Sequence, residues 1–162
     1  QEGFPQGGTG IMLQLAQISD REAVNTLAQQ VHDMHIIWRP DIYTDADELY
    51  PHDRFEHAIH SRELYVAKIG DQIVGYALLP IRTVAQNGLI NRKIMLINEF
   101  CVEKNCRNHG IGKEMMADIY ALAKAFRCNS IQLSVYPQND EAIAFYQKCG
   151  LTIQNITMST NL

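Results

Sequence analysis

Residues 97–116 read INEFCVEKNCRNHGIGKEMM, an apolar run that opens into a charged loop and then into two glycines one residue apart, Gly110 and Gly112. Together with the residues just before it, the run IMLINEFCV (94–102) has the length of a strand and the near-unbroken apolarity of one covered on both faces. After the glycines, Met115, Ile119, Leu122 and Phe126 form one stripe, with Glu114, Asp118 and Lys124 away from it, so a helix is predicted from Gly110 to about Phe126. Glycines at a helix mouth allow turn dihedrals and let a ligand come close to main-chain N–H groups, where the helix dipole favours an anion.

Working outward, SIQLSVYP (130–137) reads as a strand with Ile131, Leu133 and Val135 on one face. Asn139 or Asp140 then opens a short helix that Gly150 closes, and LTIQNITMSTNL (151–162) makes one or two terminal strands. This second half is a βαβα unit, whose two strands are expected to be parallel and joined right-handedly. Upstream, IMLQLAQIS (11–19) alternates as a first strand. Ser19 or Asp20 caps a helix in which Val24, Leu27, Ala28, Val31 and Met34/His35 recur at helical spacing, and WRPD (38–41) ends it. A second helix covers Pro51 to about Ser61, and ELYVAKIGDQIVGYALLPI (63–81) is a hairpin around Gly70-Asp71, with Pro80 marking a break or an edge. VAQNGLINRK (84–93) is a further turn.

The whole chain has 162 residues, of which 46% are apolar, enough for one core. We read residues 12–162 as a single domain and the Gly-rich, patternless residues 1–11 as a tag remnant or loose tail. A formal charge of −4 argues against nucleic acid as a partner and leans toward neutral or cationic small molecules. Cys101, Cys106, Cys128 and Cys149 lack metal-site spacing and lie in or beside apolar runs, which suits free thiols in a reducing, cytoplasmic compartment. No apolar stretch of membrane-spanning length is present, so no membrane partner is expected. The pairs His32/His35 and His57/His60 are spaced as helix-face histidines without a third ligand, and no metal site is expected.

A phosphate-binding G-x-x-x-x-G-K-[ST] loop is excluded, because Arg107 stands at its first glycine and Glu114 at its Ser/Thr. A dinucleotide G-x-G-x-x-G fingerprint fails at Met115. The Arg-x-x-Gly-x-Gly that remains, between a buried strand and an amphipathic helix, resembles the pyrophosphate loop of the GNAT superfamily of acyl-CoA-dependent N-acyltransferases. SVYPQNDEAIAFYQKCGL (134–151) is similar to that family's V-x-x-x-N-x-x-A-x-x-F-Y-x-x-x-G-F segment, with Leu151 in place of the usual Phe, and TMSTNL (157–162) resembles its last strand. Asn108-His109 replaces the commoner Gly-Lys or Gly-Gln.

The resemblance implies a mixed α/β fold, a central mixed sheet flanked by helices, with acetyl-CoA as co-substrate. It implies that Arg107, Asn108, His109, Gly110, Ile111, Gly112 and Lys113 surround the pyrophosphate. It also implies that the backbone of Phe100, Cys101 and Val102 binds the pantetheine arm where this strand and the one ending at Tyr136 splay apart. Asn139 resembles the asparagine that contacts the cofactor arm, and Tyr146 the tyrosine near the sulfur, where it can protonate the departing thiolate. Packing and helix capping are the alternative roles of those two residues.

Glu99 is the candidate base. The strand pattern puts it on the face of Met95, Ile97 and Cys101, apolar surroundings that favour a carboxyl able to take a proton; the alternatives are a carboxylate held by an Arg or a backbone donor, and a base at Ser134 or water. The resemblance sets Asp41, Asp45, Asp47 and Glu48, with Trp38 and Tyr43, beside the acceptor groove, where they would suit a cationic amine. The resulting expectation is an N-acetyltransferase that carries an acetyl group from acetyl-CoA to a small-molecule or peptide primary amine by direct attack in a ternary complex. The alternative is a CoA-binding sensor or interaction module without catalysis. A homodimer is compatible with the resemblance.

Overall fold

The computed structural model describes residues 10–160. Its strands are β1 (Leu13–Leu15), β2 (Leu64–Ile69), β3 (Gln72–Leu78), β4 (Ile81–Val84), β5 (Arg92–Ile97), β6 (Glu99–Val102) and β7 (Ser130–Leu133). Its helices are α1 (Arg21–Trp38), α2 (His52–His60), α3 (Ile111–Ala125) and α4 (Asp140–Lys148). The first helix follows a short 3-10 turn, and the Asp20 carboxylate accepts from the Gln17 N–H at 2.9 Å and pairs with Lys68 at 2.9 Å.

The strands form a four-stranded antiparallel sheet, β1-β2-β3-β6, and a three-stranded sheet, β4-β5-β7, in which β5 and β7 run parallel. The mixed α/β class read from the sequence therefore holds. The run IMLINEFCV is not one strand, however. It breaks at Asn98 and passes from one sheet to the other. Opposite this break lies Leu79-Pro80, where proline has no N–H to give to a ladder. Leu96 N–H donates to the Pro80 carbonyl at 2.8 Å and Asn98 N–H to that of Leu78 at 3.0 Å, stitching the two sheets across the change of register.

The extra residue exchanges the faces. Met95 and Ile97 belong to the core under α3, with Ile111, Met115, Met116 and Ile119, whereas Cys101 belongs to the core under α1 and α2, with Leu27, Tyr50, Phe55 and Tyr76. Glu99 thus does not share a face with Met95 and Ile97. In β3, Gly75 lets α3 settle on the sheet: a Cβ there would stand 2.7 Å from the Cys101 carbonyl oxygen and 2.8 Å from the Met115 sulfur.

Three further expectations change. Strand β7 ends at Leu133, leaving Ser134 and Val135 exposed beyond it. The terminal segment from Leu151 to Thr160 forms no strand, its residues being exposed after Leu151, and 161–162 lie outside the described residues. Residues 1–9 of the expected tail also lie outside them, while Ile11, grouped with that tail by composition, is buried in the core.

Candidate active site

Among the described residues strand β6 pairs only with β3, and β7 only with β5, so the two diverge with no ladder between them. Glu103 N–H donates to the Val74 carbonyl at 2.8 Å, which fixes the alternation along the β3–β6 register. By that alternation Phe100 and Val102 turn their main-chain groups away from β3, toward the opening. The Val102 carbonyl accepts there from Arg107 Nε at 3.0 Å, so the arginine braces the end of β6.

From β6 the chain enters the glycine loop. Asn108 and Gly110 are left-handed, at φ 65° and 85°, and Gly110, at the N-cap of α3, brings no side chain to the helix start. The two glycines differ in purpose. A Cβ at Gly110 would meet nothing within 4 Å, so that position is set by its dihedral; at Gly112 a Cβ would come within 3.2 Å of the Phe145 ring, so that glycine also admits α4. Ile111 anchors the helix start in the core, Lys113 is exposed, and His109 Nδ1 lies 3.4 Å from the Cys106 carbonyl oxygen.

Asn139 caps α4, its Oδ1 accepting from the Ala142 N–H at 3.1 Å. One helix turn and more beyond it, Tyr146 packs against Phe145 (centroids 5.3 Å apart) and Phe100 (6.1 Å). Its hydroxyl has no hydrogen-bond partner among the described residues. Burial, then the neighbouring Cys149 and Cys101, push its ionisation well above the ordinary tyrosine range, so at neutral pH it keeps its proton.

At the start of β6, Glu99 turns to the α1/α2 side. Its Oε2 accepts from the hydroxyls of Tyr50 (2.8 Å) and Tyr76 (2.7 Å), and its Oε1 from Arg54 Nη2 at 2.6 Å. Burial above all, then the Glu99 charge, keeps both tyrosines protonated as donors. Nearby, the last turns of α1 and the loop after it gather an aromatic group. The His35 ring lies 4.9 Å from that of Tyr43 and 5.5 Å from that of Tyr136, and the two tyrosine hydroxyls meet at 3.0 Å. Arg39, paired with Asp41, stands 5.7 Å over the Tyr136 ring. Asp41, Asp45, Asp47 and Glu48 are exposed along this loop.

Three of the four thiols are poor nucleophiles here. Burial pushes Cys101 up to about 11 while its Sγ donates to the Leu27 carbonyl, and burial also raises Cys106 and Cys149. Among the described residues no three His, Cys, Asp or Glu side chains are grouped to hold a metal, and no helix is long and apolar enough to cross a membrane.

With this geometry in view, residues 29–151 match the family described as acetyltransferase (GNAT). The chain belongs to that family. Its relatives include YvbK of Bacillus subtilis (strain 168), an uncharacterized N-acetyltransferase, 27% identical over 105 residues, which are 64% of this chain and 62% of that protein. The spermine/spermidine N(1)-acetyltransferase of the same organism is 30% identical over 79 residues, 48% of this chain and 51% of its own. The chain thus matches between half and two thirds of the length of these curated relatives. Among solved structures, a tetramutant of the BH1408 protein of Bacillus halodurans superposes with a TM-score of 0.87 at 27% identity, covering 93% of this chain and 99% of that one.

Within this GNAT domain the structure gathers Phe100, Val102 and the 107–113 loop along one side of the β6–β7 opening, and packs Tyr146 against Phe100. Glu99 stands on the opposite face of β6, and Ser134 lies exposed past the end of β7. Sequence reading did not find Tyr50, Arg54, Tyr76 and Tyr136, because their partners lie 23 to 93 residues away. His35, grouped there with the helix-face histidines, is half-buried instead. Its place on the stripe of Val24, Leu27, Ala28 and Val31 was the signal.

Proposed function

We propose that this chain is an acetyl-CoA-dependent N-acetyltransferase that acts on a primary amine by direct attack in a ternary complex. The opening between β6 and β7 carries this reading: Phe100 and Val102 offer main-chain groups along it, a helix start with glycine at its N-cap stands at one end, and the Tyr146 ring packs on its Phe100 wall. In this reading the N–H groups of residues 108–113 take the pyrophosphate, with Arg107 and Lys113 adding charge. The Phe100–Val102 backbone pairs with the pantetheine arm as a strand would. Asn139 spends its Oδ1 on the helix cap and keeps its amide N–H groups for that arm.

Tyr146 holds the proton that the departing thiolate needs. On the amine side stands the Glu99 carboxylate, held by Tyr50, Tyr76 and Arg54, which suits a cationic acceptor. The raised thiols of Cys101, Cys106 and Cys149 favour attack by the amine itself rather than by one of these cysteines. Trp38, Tyr43 and Tyr136 with the acidic loop 41–48 suit a cationic acceptor, and a polyamine is the class that we favour.

The test is release of CoA thiol from acetyl-CoA with spermine, spermidine, kanamycin, glucosamine 6-phosphate and a lysine peptide. Amine-dependent release is expected. Saturable acetyl-CoA binding with no release for any of these amines would instead fit a CoA-binding sensor.

A further inference from the structure

On the amine side of the opening, Glu99 has both carboxylate oxygens engaged. Two tyrosine hydroxyls and a guanidinium donate to them, filling three of a carboxylate's roughly four acceptor sites, so Glu99 is largely committed to its own neighbours. His35 is placed differently. It is half-buried between Trp38, Tyr43 and Tyr136, and neither of its ring nitrogens has a hydrogen-bond partner among the described residues. By contrast, His32, one turn earlier, has Nε2 on the Thr44 carbonyl at 2.8 Å.

The groups around His35 agree on its state. Burial and then His32 lower its affinity for a proton, while the Glu99 charge raises it, with the net direction down, so the ring is neutral at neutral pH. Tyr43 and Tyr136 face it as hydroxyls occupied with each other, Tyr43 being held up to about 12. The charge of Arg39, above Tyr136, is matched by Asp41. A neutral imidazole that feels the charge of a carboxylate can take a proton and have the resulting imidazolium favoured by that charge.

We propose that His35, set among Trp38, Tyr43 and Tyr136 with unpartnered ring nitrogens, accepts the proton of the acceptor ammonium, and that Glu99 acts behind it as the anion supporting the imidazolium. This rests on the acetyltransferase reading of the same site. One ammonium N–H bond breaks and its proton goes to His35; the freed lone pair forms the C–N bond to the acetyl carbonyl carbon. As the C–S bond breaks, sulfur takes the Tyr146 proton, and Tyr146 recovers the second proton from nitrogen. His35 then yields its proton to water, so one proton leaves per turnover.

The test is the pH profile of kcat/KM for the full chain with acetyl-CoA and the best amine of the screen above, corrected for that amine's own ionisation. His35→Gln should lose about 10²–10⁴-fold in kcat at neutral pH and lose the acidic limb, with acetyl-CoA affinity unchanged, and added imidazole should restore rate to His35→Ala. Glu99→Gln should keep the limb but shift it to lower pH. A His35→Gln protein with wild-type rate and limb overturns the proposal, as does a limb that disappears in Glu99→Gln alone. Should the His35 variants fail to bind acetyl-CoA, the imidazole 15N titration of the wild-type protein decides: its midpoint must match the kinetic limb, and a mismatch overturns the proposal. A wild-type protein inactive with every amine overturns the acetyltransferase reading and the role of His35 together; an active one with an indifferent His35 overturns only the latter.

Discussion

Arg54 holds Glu99 from outside: its Nη2 lies 2.6 Å from Glu99 Oε1 while its guanidinium sits 4.3 Å over the ring of Tyr50, which itself donates to Glu99. One side chain of α2 thereby fixes both the carboxylate and one of its donors. Glu99→Gln puts an amide N–H₂ toward Arg54 or toward two hydroxyl donors, and should cost roughly 1–3 kcal/mol in urea unfolding. Arg54→Met removes a half-exposed partner and should cost about 1 kcal/mol or less. A Glu99→Gln protein as stable as wild type would show that these contacts do not hold the site.

Tyr146→Phe keeps the ring packing on Phe100 and Phe145 and removes only the hydroxyl. Its acetyl-CoA affinity should be close to wild type while kcat falls by about 10²–10⁴-fold, the scale of a lost proton-transfer group. Full turnover with every active amine would return Tyr146 to a packing role.

Gly75→Ala drives a Cβ into the Cys101 carbonyl and the Met115 sulfur. Since the backbone oxygen cannot swing aside, a loss on the order of 1–3 kcal/mol is expected from thermal or urea unfolding. Gly110→Ala meets no such contact, and any loss should come from its left-handed dihedral alone. Equal stability of Gly75→Ala and wild type would mean that α3 does not sit on β3 as described.

Ionisation sets the limits of stability with pH. Cys101 holds its proton to about 11 in the fold against an ordinary 9.0, so its contribution is full below pH 9 and is lost as pH rises toward 11. Tyr50, Tyr76 and Tyr146, also raised, act in the same direction above their ordinary 10.0. His35 acts at the other end: lowered from 6.5, it favours the fold above that value and loses its contribution as pH falls below it. Stability, measured by unfolding across alkaline pH, should fall from pH 9 upward, and Cys101→Ala should flatten the segment between 9 and 11 by at most about 3 kcal/mol. A slope in that segment identical to wild type would contradict the burial of this thiol.

The glycine loop, the α3 stripe and the Asn139 cap were legible because each is a local pattern, decided within a few residues by dihedral need or helical period. The break at Asn98 was not. The run 94–102 is apolar throughout, and only the facing Pro80, 18 residues upstream in the chain, shows why the ladder must change register there. The same break explains the misplacement of Glu99: alternation counted through Asn98 puts it with Met95 and Ile97, and one extra residue sends it to Tyr50 and Tyr76. The last segment has a strand's alternation without a strand's pairing, since alternation supplies a face but no partner.

Amide hydrogen exchange with and without acetyl-CoA tests most directly the claim that the β6–β7 opening and the loop after it are the acyl-CoA site. Slowed exchange is expected at Phe100 and Val102 and across residues 108–113, with ATP at equal concentration giving far less at Phe100 and Val102. Acetyl-CoA binding that leaves those amides unchanged, or protection by ATP equal to that by acetyl-CoA, would contradict that claim.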